Sequence, residues 1–145
     1  MAVPAGLAPM SAGAALLALS GLHLAWGFGA TTPFASVEGL SDAVLGHSAP
    51  GERFVEPPAC FAVAAALAAA ASLVLDRPPW ARPLRQSGLI ALTGILGARA
   101  ALGFAGRTDV LVPGSTSERF RRNDRRLFAP LCLALAAGAA KARRS

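Results

Sequence analysis

Between Met10 and Gly29 no side chain carries a charge, and the same holds from Pro58 to Leu75, from Leu127 to Ala140 and, apart from Arg99, from Gly88 to Gly106. Each run is apolar around its whole circumference. A helix with no polar face must be covered on every side or lie in hydrocarbon, and 145 residues lack the material to cover four such helices in water. The chain is therefore expected to be all-α, a four-helix transmembrane bundle forming one integral membrane domain over residues 1–145. Its spans fall at about 9–29, 58–75, 88–106 and 124–141.

Composition points the same way. Mean hydropathy is +0.49, hydrophobic residues make up 54% and charged ones 15%, and the charges are bunched in the joins between runs. Of the 14 cationic side chains thirteen are arginine, giving a net charge of +6. They flank apolar runs and do not alternate with aromatics or line a recognition helix, so nucleic acid is excluded in favour of the membrane surface.

The runs differ in their punctuation. Pro9 opens the first, and Gly27-Phe28-Gly29 followed by Pro33 breaks it. No Lys or Arg precedes it and it is longer than a cleaved hydrophobic core, so it reads as a span and not as a leader. Pro57-Pro58 opens the second, whose bulk is alanine, and the spaced Ala62, Ala66 and Ala70 suggest close helix contact. In the third, Gly94, Gly97, Ala98 and Ala101 supply more small side chains. The fourth has only fourteen uncharged residues, short of a ~30 Å hydrocarbon core at ~1.5 Å per residue. Starting it near Asn123, with Pro130 in its first turns and Arg125, Arg126 and Lys141 reaching to the interfaces, restores a spanning length.

With four spans, both termini share a side with the join from Asp76 to Ser87. Counting Arg and Lys gives six on that side (Arg77, Arg82, Arg85, Lys141, Arg143, Arg144) and seven opposite (Arg53, Arg107, Arg119, Arg121, Arg122, Arg125, Arg126). Seven of the eight acids, Glu52 among them, also lie opposite, and on net charge the termini are expected in the cytoplasm of a multi-pass protein of the cell membrane.

An arginine near the centre of a span costs on the order of 3 kcal/mol and needs a partner. His23 and Arg99 are displaced toward the same membrane face, where Asp124 begins the fourth span and Glu56 the second. Ser20, His23, Trp26 and Gly27 share one stripe of the first helix. Arg99 is therefore expected to pair with Asp124, with His23 in the same group. His23, Trp26, Arg99, Asp124 and Glu56 would then form a polar cluster capped by the first and third joins. Such a cluster serves as a clamp between helices or as a site for a small anion, lipid headgroup or proton.

Cys60 and Cys132 each lie a few residues into their spans at that face and are able to meet as a thiol pair; inert buried thiols are the default. His47 reads as solvated in its join. One histidine at membrane depth does not make a bis-histidine haem, and no set of three metal ligands is visible, so neither metal nor cofactor is expected. The segment Arg119–Arg126 is the densest charge run and suits anionic lipid headgroups.

The elements Gly21-x-His23-x-x-Trp26-x-x-Gly29, Gly97-x-Arg99, and Phe120-x-x-x-Asp124 followed by Pro130-Leu131-Cys132 resemble, in order and spacing, a family of small bacterial four-span proteins, domain of unknown function 3995. The likeness covers nearly the whole chain. It implies integral-membrane character, no established activity, and His23, Trp26, Arg99 and Asp124 as the positions to test. Three functions remain open: a binding protein for a small ligand, lipid headgroup or partner protein; a membrane enzyme with His23 as acid or base and Arg99 holding an anionic substrate; and a structural or accessory subunit, including a homo-oligomer. No nucleophile, metal set or cofactor motif accompanies His23, which favours binding over catalysis.

Overall fold

The computed structural model describes residues 7–47, 56–77, 79, 82–110, 112–115 and 117–144, and every regular element among them is a helix. Arg53 and Glu52, counted above for orientation, lie outside these residues. The helices are α1 (Leu7–Gly27), α2 (Val37–Leu45), α3 (Pro57–Val74), α4 (Arg82–Ala105), α5 (Glu118–Asn123) and α6 (Ala129–Ala142). Between α5 and α6, Asp124–Phe128 is a π-helical turn, and Thr108–Val110 is a 3₁₀ turn after α4. Three of the helices, α1, α3 and α4, are long and apolar enough to cross a membrane.

Where the sequence predicts four helices, the described residues form five helical bodies. The addition is α2, in the first join. The Ser36 hydroxyl caps it by accepting the Gly39 N–H at 3.1 Å, and Gly46 ends it in the left-handed region at φ 72°. In its first turn, the Glu38 carboxyl is held below its ordinary pKa by backbone hydrogen bonding and by the Ser36 hydroxyl. Its apolar positions Val37, Leu40 and Val44 recur at helical spacing, a signal visible in the sequence.

The fifth body is a rod running without a break from Glu118 to Ala142, because Asn123, Asp124, Phe128 and Ala129 all keep right-handed helical angles. Pro130 accounts for the π turn. It has no N–H to donate to the Arg126 carbonyl, and its ring crowds that carbonyl. Widening the preceding turn, so that the Ala129 N–H reaches the Asp124 carbonyl five residues back, relieves the conflict without a break.

Helix α1 packs along α3 and α6, and α4 packs along α6 and α3. Their shared core holds Ala12 and Leu16 of α1, Ala70, Ala71 and Val74 of α3, Leu89 of α4, and Leu135, Ala139 and Ala142 of α6. Small side chains let the backbones close in: a methyl on Gly138 would lie 2.4 Å from the Ala12 Cβ. The buried side of α3 is Cys60, Ala64, Ala71 and Val74 with Ala70 beside them, whereas Ala62 and Ala66 of the expected stripe are exposed. Likewise Gly94, Ala98 and Ala101 of α4 face outward, and nothing lies within 4 Å of a methyl placed on Gly94 or Gly97. The small residues that α4 turns inward are Ala100 and Gly103.

At the end where α1 starts and α6 finishes, Arg85 ties three elements. Its Nη2 donates to the Ala142 carbonyl at 2.7 Å, its Nε to the Leu73 carbonyl at 3.1 Å, and Nε lies 3.4 Å from the Asp76 carboxylate. The last carbonyls of α3 and α6 are thereby satisfied by a cation where the helix dipoles favour one.

Candidate functional site

At the opposite end, α4 brings Arg99 against the π turn. Arg99 Nη2 donates to Asp124 Oδ1, and the Asp124 side chain is 1% exposed. The expected pair thus forms. Gly103, one turn beyond Arg99, makes room for it: a methyl there would fall 2.7 Å from the Ala129 Cβ and 2.8 Å from Asp124 Oδ2. The second arms of both groups, Arg99 Nη1 and Asp124 Oδ2, are buried beside Gly103 with no hydrogen-bond partner among the described residues. The signal for Gly103 in the sequence is the spacing Arg99-x-x-x-Gly103, which places both on one helix face.

His23 stands outside that pair. Its Nδ1 lies 2.8 Å from the Leu19 carbonyl, one turn back in α1. A carbonyl only accepts, so Nδ1 carries the hydrogen and Nε2 is left as the second functional atom of the ring. The imidazole packs on Trp26 with ring centroids 4.9 Å apart. Trp26 is nearly buried, and its Nε1 donates to the Thr32 carbonyl at 2.8 Å, fastening the first join to the end of α1. Ser20, on the same stripe, donates to the Ala64 carbonyl at 2.8 Å and ties α1 to α3.

These contacts place His23 and Trp26 in the wall of a cleft of about 170 Å³ between α1, α2 and α3, together with Val44, Leu45, Glu56 and Cys60. The predicted single cluster is therefore two structures. One is the cleft, with His23, Trp26, Glu56 and Cys60. The other is the ion pair of Arg99 and Asp124. The two thiols are free and form no disulfide, with Cys60 in the cleft wall. Val44 and Leu45 come from α2, so the helix added in the first join supplies the cleft's outer wall. His47 is half-buried near Gly114, not simply solvated.

The basic segment divides as well. Arg119 leans toward α2, 3.6 Å from the Asp42 carboxylate, and Asn123 donates to the Ala43 carbonyl at 3.4 Å. Phe120, 1% exposed, packs beneath Gly46. Arg121, Arg122, Arg125 and Arg126 line a separate open groove of about 400 Å³ with Glu118. No group of three or more His, Cys, Asp or Glu able to hold a metal occurs among the described residues.

A family model described as "Protein of unknown function (DUF3995)" matches residues 16–139, a stretch that includes both halves of the site and the groove. Neither a curated protein nor a solved structure matches the chain.

Proposed function

Since the chain belongs to the DUF3995 family, whose description assigns no activity, we propose a function from the site itself: a four-span membrane protein that binds a small amphiphile in the α1–α2–α3 cleft. The α5–α6 rod supplies the fourth span, with the termini in the cytoplasm. The observation that carries this reading is the imidazole of His23, engaged at Nδ1 by Leu19 and lining the cleft with Nε2 available. The polar groups of the cleft, His23 Nε2 and the Glu56 carboxylate, accept hydrogen bonds, while Trp26, Val44, Leu45, Ala59 and Val63 give it apolar walls. Such a lining takes an apolar body carrying a donor or a cationic head, with the indole adding a face that attracts cations. In this reading the Arg99–Asp124 pair is a clamp that pins α4 to the rod and takes no part in binding.

The test uses Trp26 as reporter. The chain has two tryptophans, so Trp80→Phe leaves a single indole. In nanodiscs, octylamine is expected to shift its emission saturably, octanol weakly and octanoate not at all, and Glu56→Gln or His23→Leu to weaken octylamine at least fivefold. Equal, non-saturating responses to the three probes, or variants indistinguishable from the parent, would overturn the proposal. A reporter fused after Ser145 is expected to be active only inside the cell.

A further inference from the structure

We infer that the groove lined by Arg121, Arg122, Arg125 and Arg126 holds a phospholipid headgroup bearing two negative charges. Arg121 and Arg125, like Arg122 and Arg126, are four residues apart, and the α-to-π transition keeps both pairs on one side of the rod. Four guanidinium groups thus share one groove with one carboxylate, Glu118. The other acids nearby are engaged elsewhere: Asp124 with Arg99, Asp42 with Arg119, and Asp109 with Arg107 at 3.7 Å. Among the described residues Arg122, Arg125 and Arg126 form no ion pair. Arg125 also reaches the end of α4, its Nη2 2.6 Å from where a methyl on Gly106 would stand.

Such a concentration of like charge attracts a counter-anion, and the position of the groove on the rod indicates which. Directly after Arg126 the rod turns apolar, with Leu127 60% and Leu133 52% exposed. A helix that leaves its arginines and at once shows leucine outward passes from the headgroup layer into hydrocarbon. The groove therefore opens among lipid headgroups. Guanidinium forks match phosphate oxygens two at a time, which an ammonium does not. Charge balance selects within the class: Arg122, Arg125 and Arg126, three cations against the one carboxylate of Glu118, leave an excess of two positive charges, which a phosphomonoester or a paired diphosphate headgroup neutralises and a phosphodiester with one negative charge only halves. This inference rests on the rod alone and is independent of the cleft.

Native mass spectrometry of the protein released from nanodiscs at pH 8 tests it. Retained lipid is expected to favour phosphatidic acid and cardiolipin over phosphatidylglycerol by at least fivefold, and over phosphatidylcholine by more. Arg122→Gln with Arg126→Gln is expected to abolish the preference without altering the Trp26 response to octylamine. The charge-preserving pair Arg122→Lys and Arg126→Lys is expected to retain only part of it. Equal retention of phosphatidic acid and phosphatidylglycerol, a preference surviving in the glutamine variant, or displacement of lipid by millimolar inorganic phosphate would overturn the inference, the last by identifying a site for free phosphate.

Discussion

Arg99 and Gly103 act as one device. The guanidinium reaches Asp124 because the position one turn further along α4 lacks a methyl, and the same gap seats Ala129. Gly103→Ala must therefore push the rod off α4, and overpacking of that kind costs about 1–3 kcal/mol. Gly97→Ala, on the same helix with nothing within 4 Å, is expected to be neutral or stabilising by a few tenths up to about 1 kcal/mol through helix propensity. Denaturant unfolding in mixed micelles separates the two. Replacing Asp124 alone by Leu strands the arginine and is expected to cost about 3–5 kcal/mol, while adding Arg99→Met should recover most of that, as for other buried pairs exchanged for apolar groups. Recovery would confirm that the pair is a clamp, since a binding role would not be restored by methionine.

At the level of elements, the π turn and α2 belong together. The widened turn lets one continuous rod direct Phe120 and Asn123 toward α2 while Asp124 and Ala129 face α4. Helix α2 has only 9 residues, too few to be stable alone in water, and its persistence depends on docking against Phe120. Phe120→Ala is expected to cost about 3–5 kcal/mol locally. By hydrogen exchange the amides of α2 should lose protection while those of α1 and α3 keep theirs; uniform loss across the chain would show that α2 does not dock as a separate unit. Because α2 walls the cleft, the same variant is expected to weaken octylamine binding without touching His23.

For the whole molecule, the two ends are held differently. The end bearing the cleft and groove is joined by side chains from α2 and α5, the other by Arg85 satisfying carbonyls of α3 and α6. Hydrogen bonds from a charged group contribute about 1.5–3 kcal/mol each, so Arg85→Met is expected to lower the melting temperature in detergent more than Arg82→Met, whose Nε is 3.7 Å from Asp76 and which is largely exposed. Equal shifts would reduce Arg85 to a surface charge.

Much of this architecture follows from patterning that any reader of the chain meets first. Circumferential apolarity predicts helices long and apolar enough to cross a membrane, proline and glycine set their limits, and a lone arginine inside such a run calls for a carboxylate, which Asp124 supplies. Other features depended on three-dimensional placement. Which small residues face inward was not fixed by their spacing, because an all-apolar helix has no polar side to set its rotation: Ala64 and Gly103 pack while Ala66 and Gly94 face out. The division of one expected polar cluster into a cleft and a clamp was likewise decided by packing. Position along a helix is encoded in the chain but neighbours are chosen around it, so His23 lines the cleft while Arg99 meets Asp124.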